Sequence, residues 1–284
     1  MLTFIRMLLA LLERIHKPAA FRLTSFLISY PQTGPANERD KTFMQEAHRI
    51  EFKRNNKNNG KCKRVALSWG EGPLVILVHG WEGRSTQMSV LAKHLAASGF
   101  QAVALDITAH GESNGRKVSF RDYIDDIDAL IKYLGKDVHA MLGHSAGGLC
   151  MMAAREMLNL EANHYVTISS PSAPFPLIDV VRRRLKVSEP VIDMIKAKVA
   201  KNFDCNWAEL ERGKAFKQLR NDEQLLLVYD TSDNMVDHSQ SDVIQNIWPD
   251  AKVYKSDGLG HFKPLWAEDV IERVSQFLNQ SKPV

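Results

Sequence analysis

The chain has 284 residues, 44% of them hydrophobic and 25% charged, and a formal net charge of +4. This composition excludes disordered and fibrous proteins, and the length is sufficient for a sizeable core. The weak, unpatterned charge gives no indication of nucleic-acid binding. Three scattered cysteines favour a reducing compartment over a disulfide framework, so we expect a cytoplasmic protein: Cys62, Cys150 and Cys205.

Residues 1–40 are predicted to form an amphipathic helix followed by a loop. Apolar residues recur at helical spacing from Leu2 to Leu12, and the uninterrupted run 7–12 is too short to span a bilayer. We expect this helix to pack on the domain. Weak contact with a membrane surface, at the inner face of a membrane, is the second interpretation. The Pro, Gly and polar residues of 30–40 predict the loop.

Short strands and helical patterns alternate along most of the remaining chain. Residues 51–73 resemble a hairpin around an Asn- and Gly-rich turn, and continuous apolar runs indicate buried strands thereafter. This alternation predicts parallel βαβ units in a doubly wound, mostly parallel sheet flanked by helices. The predicted strands are 74–80, 100–106, 138–143, 164–170, 224–230 and 251–257. The predicted helices are 85–98, 119–135, 146–159, 236–247 and 265–279.

The alternation is interrupted between residues 171 and 220. This block predicts two helices, the second beginning at Ser188-Glu189-Pro190, and we interpret it as a small helical lid over the carboxyl edge of the sheet. The catalytic domain would then comprise residues 41–170 and 221–284. The block has eleven Lys and Arg against six acids, giving 11 − 6 = +5. A solvated helix face explains that excess, as would attraction of an anionic ester, thioester or membrane surface.

The stretch Gly143-His144-Ser145-Ala146-Gly147 matches G-x-S-x-G, with a predicted strand before it and a helix after it. A nucleophile on a strained strand-to-helix turn needs small residues beside it, since larger ones would collide with neighbouring backbone. Ser145 is therefore the candidate nucleophile, and a purely structural glycine turn is the alternative.

A serine nucleophile needs a base that a third group orients. In a doubly wound sheet, such partners lie on loops after later strands. His261 follows the last predicted strand, whereas three aspartates follow the strand before it: Asp230, Asp233 and Asp237.

Four motifs are similar to those of the α/β-hydrolase superfamily over residues 74–278. They are LVHGWEG (77–83), LDITAHGES (105–113), GHSAGG (143–148), and YDTSDNMV (229–236) with GLGH (258–261). The serine resembles the esterase and lipase branch, because the dehalogenase and epoxide-hydrolase branches place aspartate there.

The resemblance implies an α/β-hydrolase fold and a serine hydrolase acting on an ester or thioester of a small or lipid-like molecule. Asp233 would be the acid of a Ser145-His261-Asp233 triad, with Asp230 as the first substitute. The backbone N–H groups of Trp81 and Ala146 would form the oxyanion hole. His79 would brace the loop, His110 would shape a turn, and Glu82 is expected to point away.

We expect no cofactor, no metal and no nucleic-acid partner, only a small-molecule acyl substrate; the oligomeric state stays open. Two alternatives remain. One is a catalytically silent relative that binds a ligand in the same pocket. The other is an amidase or C–C hydrolase of the same fold, because fold alone does not determine chemistry.

Overall fold

A computed structural model describes residues 2–56 and 60–280. Its single sheet has eight strands in the spatial order β1-β2-β4-β3-β5-β6-β7-β8. They are β1 His48–Asn56, β2 Gly60–Trp69, β3 Leu74–Val78, β4 Gln101–Asp106, β5 Val138–His144, β6 His164–Ile168, β7 Gln224–Asp230 and β8 Lys252–Ser256. β1 and β2 form the predicted hairpin and join β4 antiparallel, and the remaining neighbours are parallel. The predicted mostly parallel sheet is confirmed.

Eleven α-helices are assigned in the described residues. They are α1 Leu2–Ile15, α2 Lys17–Ile28, α3 Glu38–Glu46, α4 Ser89–Ala97, α5 Phe120–Leu134, α6 Ala146–Leu158, α7 Phe175–Val180, α8 Glu189–Ala200, α9 Trp207–Glu211, α10 Gln240–Gln245 and α11 Glu268–Asn279. α5 has the predicted ends: Ser119 accepts the Asp122 amide as N-cap, and Gly135 closes the helix in the left-handed region.

The strands bury both of their faces, which explains their continuous apolar runs. Ile76 and Val78 of β3 join the core beneath α5 and α6, whereas Val75 and Leu77 point to the opposite core beneath α4 and α11. Because β3 to β8 run parallel, the carboxyl ends of β3, β5, β7 and β8 lie at one edge of the sheet, where the loops carrying the candidate residues emerge.

The N-terminal segment is more helical than predicted. α2 follows α1 directly, with Pro18 in its first turn, and α3 begins at Glu38 inside the predicted loop. Asn37 and Asp40 cap α3 reciprocally, which explains why a polar stretch ends in a helix. α2 was not predicted as a separate helix, because its apolar residues follow those of α1 with little break.

The block between β6 and β7 contains α7, α8 and α9. α7 continues into a π-helical turn over Val181–Leu185, and α8 begins at the predicted signal, with Ser188 preceding it. α1 contacts this block: Arg6 Nε donates to the Arg184 carbonyl at 2.9 Å, and Glu13 accepts from the Ser188 amide at 3.0 Å. α1 and α2 thus pack beside the block near the carboxyl edge of the sheet.

α10 is shorter than the predicted helix 236–247. The carboxylate of Asp233 accepts the amides of Met235 and Val236, and that of Asp237 accepts the amide of Ser239. These turns delay the helix to Gln240. Within residues 2–56 and 60–280, no helix combines the length and apolarity needed to cross a membrane.

Candidate active site

Ser145 occupies the turn between β5 and α6 in a strained backbone conformation. Its φ is 52° and its ψ is −125°, which costs a non-glycine residue roughly 1–3 kcal/mol. Two hydrogen bonds hold the turn: the Ser145 amide donates to the Ile168 carbonyl at 2.9 Å, and Ser170 Oγ donates to the Ser145 carbonyl at 2.9 Å. The strain is therefore maintained by the neighbouring strand β6.

The glycines beside Ser145 lie where a side chain would collide with backbone. A Cβ atom on Gly143 would overlap Gly148, and one on Gly147 would overlap the carbonyls at the end of β3. Across the turn, a Cβ on Gly80 would stand 3.1 Å from the Ser145 Cβ. These close approaches bring the loop after β3 against the serine.

The structure brings Ser145, His261 and Asp233 together in one hydrogen-bonded chain. His261 Nε2 lies 3.0 Å from Ser145 Oγ, and His261 Nδ1 lies 2.7 Å from Asp233 Oδ2. The side chains of His261 and Asp233 are almost completely buried. Burial disfavours the Asp233 carboxylate, but hydrogen bonds from His261 and the Val236 and Met235 amides outweigh it and lower the pKa of Asp233.

The other two candidate aspartates have different partners. Asp230 is buried, and its carboxylate accepts the amides of Leu259 and Gly260 at 3.1 and 2.8 Å, directly before His261. Burial opposes its ionisation, yet these hydrogen bonds and that from Ser256 lower the pKa of Asp230. Asp237 is exposed and bonds its own turn. Asp230 therefore orients the histidine loop without contacting the imidazole.

Two backbone amides border the serine on the side of the β3 loop. Ala146 is the first residue of α6, where amides lack partners within the helix and the helix dipole favours negative charge. Trp81 follows Gly80 on the loop packed against Ser145. The oxyanion hole formed by these two amides stays a prediction.

Two buried histidines brace the β3 loop. His79 Nδ1 donates to the Gly80 carbonyl at 2.7 Å, while its Nε2 accepts the Ile107 amide. His110 does more than shape its own turn, because its Nε2 accepts the Glu82 amide at 3.1 Å. Burial lowers the pKa of both rings, that of His110 to about 4, so both are neutral braces near pH 7.

Glu82 does not point away from the site as expected. It lies on the wall of the cavity that contains Ser145, and its carboxylate accepts the Gln32 amide at 3.0 Å. This bond connects the β3 loop to the segment that follows α2.

A cavity of about 490 Å³ opens at Ser145 and His261. Its volume falls within the range of small-molecule sites. Most of its lining is apolar and comes from three parts of the chain: the N-terminal segment, the β3 loop and the block after β6. The apolar side chains include Leu2, Leu27, Ile28, Trp81, Phe120, Leu149, Pro174, Leu177, Val180 and Leu185.

A second cleft, about 1440 Å³ in volume, lies elsewhere and contains none of the three candidate catalytic residues. Its charged walls are largely paired with one another. Arg54 bonds Asp122 at 2.7 Å, and Arg121 bonds Asp125 at 3.0 Å. The smaller cavity at Ser145 is therefore the candidate active site.

A model of the alpha/beta hydrolase fold matches residues 73–223, more than half of the chain. The chain belongs to this family. The α/β-hydrolase resembles a 2-(acetamidomethylene)succinate hydrolase of Mesorhizobium japonicum, with 28% identity over 131 residues, 45% of this chain and 47% of that protein. It resembles a monoacylglycerol lipase of Mycolicibacterium smegmatis, with 32% identity over 82 residues, 26% of this chain and 29% of the lipase. Each match spans less than half of the relative's length.

Solved structures share the fold of this α/β-hydrolase over most of its length. An esterase of Pyrococcus furiosus superposes with a TM-score of 0.66, covering 89% of this chain and 100% of the esterase at 18% identity. The thioesterase domain from the curacin biosynthetic pathway superposes with a TM-score of 0.60, covering 82% of this chain and 100% of the domain at 17% identity. These structures agree with the family match in showing an α/β-hydrolase fold.

Two contributions to the site were not predictable from the sequence. The first is the N-terminal wall from Leu27, Ile28 and Tyr30, since a remote helix carries no motif that links it to a serine 115 or more positions later. The second is the hydrogen bond of His144, whose Nε2 donates to the His261 carbonyl. In the sequence, the position of His144 within the G-x-S-x-G motif was the only indication that it belongs to the site.

Proposed function

We propose that this hydrolase cleaves a carboxylic ester or thioester through an acyl-enzyme on Ser145. The observation that carries the proposal is the continuous chain from Ser145 Oγ through both His261 nitrogens to Asp233, with distances of 3.0 and 2.7 Å. Such a chain allows one ring nitrogen to take a proton while the carboxylate stabilises the imidazolium.

In the first half-reaction Ser145 Oγ bonds to the acyl carbon, and its proton passes to His261 Nε2. The Trp81 and Ala146 amides donate to the developing oxyanion. When the tetrahedral intermediate collapses, the leaving alcohol or thiol takes the proton back from Nε2. Water then attacks the acyl-enzyme by the same route and releases the carboxylic acid, which regenerates the Ser145 hydroxyl.

The cavity lining supports an apolar acyl group as substrate. Leu149, Leu177 and Leu185 contribute to its walls, and the named similarity to a monoacylglycerol lipase agrees with this choice. We propose residues 171–220 as a cap over the catalytic domain, because Pro174, Leu177 and Val180 line the same cavity as Ser145. The α1–α2 segment would complete the same cover.

A fluorophosphonate probe tests the nucleophile. Wild-type protein is expected to be labelled at Ser145, and Ser145→Ala is expected to remain unlabelled while folding normally by circular dichroism. Ser172→Ala is the matched control, because Ser172 Oγ bonds Gln240 and should not react. Failure to label the wild type, or equal labelling of Ser145→Ala, would point to a silent ligand-binding relative.

A substrate panel tests the acyl class. Short esters, long esters, acyl thioesters and anilides of matched chain length are compared by kcat/KM, and the ester and thioester series should exceed the anilides. An anionic ester should lose rate in Arg184→Gln, because Arg184 lines the cavity. Arg183→Gln is the control, since Arg183 is an exposed neighbour outside the lining. A preference for anilides would favour the amidase alternative.

A further inference from the structure

The outer face of α1 is a continuous apolar stripe that nothing in the described chain covers. Phe4 is 69% exposed, Met7 68%, Leu11 54% and Ile15 73%, with Leu8 beside them. Spacings of three, four and seven residues align these side chains on one side of the helix. The stripe therefore presents five large apolar side chains to solvent along the whole of α1.

The opposite face of α1 is already used for packing. Leu9 is fully buried, and Ile5 and Leu12 pack against the core. A helix that is apolar on both sides is expected to be covered on both sides. Fourteen residues span only about 21 Å, less than the roughly 30 Å core of a bilayer, so this helix could lie along a surface but not cross it.

Five exposed cations lie on α1 or on the segments next to it. Arg14 lies in the last turn of α1, and Lys17 begins α2. Arg183, Arg184 and Lys186 lie on or directly after the π-helical turn that contacts α1 through the bond from Arg6 to the Arg184 carbonyl. Among the described residues, none of the five has a carboxylate within 4.0 Å.

The acidic side chains of the same region already have hydrogen-bond or ion-pair partners. Glu13 accepts the Ser188 amide, and Asp179 and Glu189 both bond Arg182. Glu13 keeps its charge and Arg182 offsets only one of its two acids, so the five unpaired cations exceed the remaining acids by 5 − 2 = +3 on this surface. Two copies of the chain meeting through their stripes would bring these cations together, whereas an anionic lipid surface would neutralise them.

The N-terminal end of α1 also reaches the active-site cavity. Leu2 starts α1 and lines the cavity, and it is 42% exposed. Because Leu2 lies three and seven residues before Ile5 and Leu9, it belongs to the packed face of α1 and not to the stripe. Val180, Met235 and Phe262 line the same cavity and are exposed to a similar extent. The cavity entrance therefore has exposed apolar side chains of its own, beside the end of α1.

We propose that the α1 stripe docks this hydrolase onto an anionic phospholipid bilayer. The apolar side chains enter the headgroup region, and the cations contact lipid phosphates. Docking itself does not depend on the chemistry at Ser145. If the proposed function also holds, docking concentrates the hydrolase at a surface that contains acyl lipids.

Vesicle co-sedimentation tests docking. Full-length protein is expected to bind vesicles of phosphatidylcholine mixed with phosphatidylglycerol, to bind pure phosphatidylcholine vesicles more weakly, and to dissociate with added salt. The double variant Phe4→Ser/Leu11→Ser should lower partitioning about tenfold or more, because two large apolar side chains no longer leave water. Leu219→Ser is the matched control, an exposed leucine outside the stripe and the cavity lining.

Charge reversal tests the cations separately. Arg14→Glu/Arg183→Glu should abolish the preference for anionic vesicles, with a loss of about tenfold or more, since each cation near the surface contributes to binding. Lys255→Glu/Arg273→Glu makes the same change in net charge on β8 and α11 and should retain binding. If both double variants lost vesicle binding to the same extent, net charge alone would explain the effect and the proposal would be overturned.

Two further outcomes would overturn docking. One is full vesicle binding by Phe4→Ser/Leu11→Ser. The other is a concentration-dependent dimer of the wild type, measured by light scattering. This dimer would be absent in Phe4→Ser/Leu11→Ser but would persist when vesicles are added to the wild type. Fluorophosphonate labelling and hydrolysis of a short soluble ester should be unchanged in this variant, because neither side chain lines the cavity. An unlabelled protein that still binds vesicles would refute the catalytic proposal alone.

Discussion

His144 Nε2 donates a hydrogen bond to the backbone carbonyl of His261 at 3.0 Å, so the residue before the nucleophile holds the residue proposed as its base. The two rings also pack, with centroids 4.9 Å apart. Burial, reinforced by the nearby His261, lowers the pKa of His144 to about 3, so it is neutral and its donor proton lies on Nε2 near pH 7. The end of β5 and the loop after β8 are thereby joined beside Ser145.

We expect His144→Ala to lower kcat about five- to tenfold with little change in KM, because one hydrogen bond of about 1 kcal/mol that positions His261 is lost. His144→Gln should recover much of the rate, since its amide nitrogen can donate to the same carbonyl. Steady-state kinetics on a soluble ester give both parameters. A loss of thermal stability equal in both variants, with no difference in kcat between them, would indicate a packing role only.

Asp233 and Asp230 should respond differently to amide substitution. Asp233→Asn is expected to reduce kcat by about 10⁴-fold while the fold persists, because the imidazole loses its orienting carboxylate. Asp230→Asn removes an acceptor that holds the Leu259 and Gly260 amides, so it should mainly lower the melting temperature. Kinetics and calorimetry on both variants check this. The reverse pattern would assign the catalytic acid to Asp230.

Gly80→Ala should impair catalysis more than stability. The added methyl group would stand 3.0 Å from His144 Nδ1 and 3.1 Å from Ser145 Cβ, which displaces the loop that carries the Trp81 amide. We expect kcat to fall about 10²-fold, in line with the loss of one oxyanion donor. Gly34→Ala is the control, because its methyl group would have nothing within 4 Å. An unchanged kcat in Gly80→Ala would show that this loop does not contribute to the oxyanion hole.

Acidification should destabilise the protein through its buried histidines. Burial lowers the pKa of His144 to about 3 and of His110 to about 4, below the ordinary 6.5. The unfolded chain therefore binds more protons below about pH 6.5, and the free energy of unfolding falls by up to about 1.4 kcal/mol per pH unit for each histidine. The contribution of these histidines to the free energy of unfolding is complete above about pH 6.5 and decreases as the pH falls towards their pKa values in the folded protein.

Urea unfolding between about pH 7 and about pH 5 measures this slope. His144→Gln removes one of the titrating groups and should make the slope shallower by about one proton. A slope that is the same in both proteins would mean that other groups govern the acid sensitivity.

Local residue patterns were sufficient to predict most of the sheet and the identity of the candidate nucleophile. Continuous apolar runs such as 74–78 are consistent with burial on both faces, and the strand, small-residue turn and helix around Ser145 are encoded within about 20 residues. The ends of α5 were predictable for the same reason, since Ser119 and Gly135 act through their own backbone. Asp233 and His261 could be proposed because they follow strands.

Contacts between distant segments could not be predicted in this way. Three aspartates follow β7, and only the folded loop directs Asp233 to His261 and Asp230 to the amides before it. The N-terminal wall of the cavity and the bond from Gln32 to Glu82 join segments far apart in sequence. The sequence determined which groups could do chemistry, because their types and turns are local. The tertiary structure alone decided which of them meet, because that depends on how the loops pack at the carboxyl edge of the sheet.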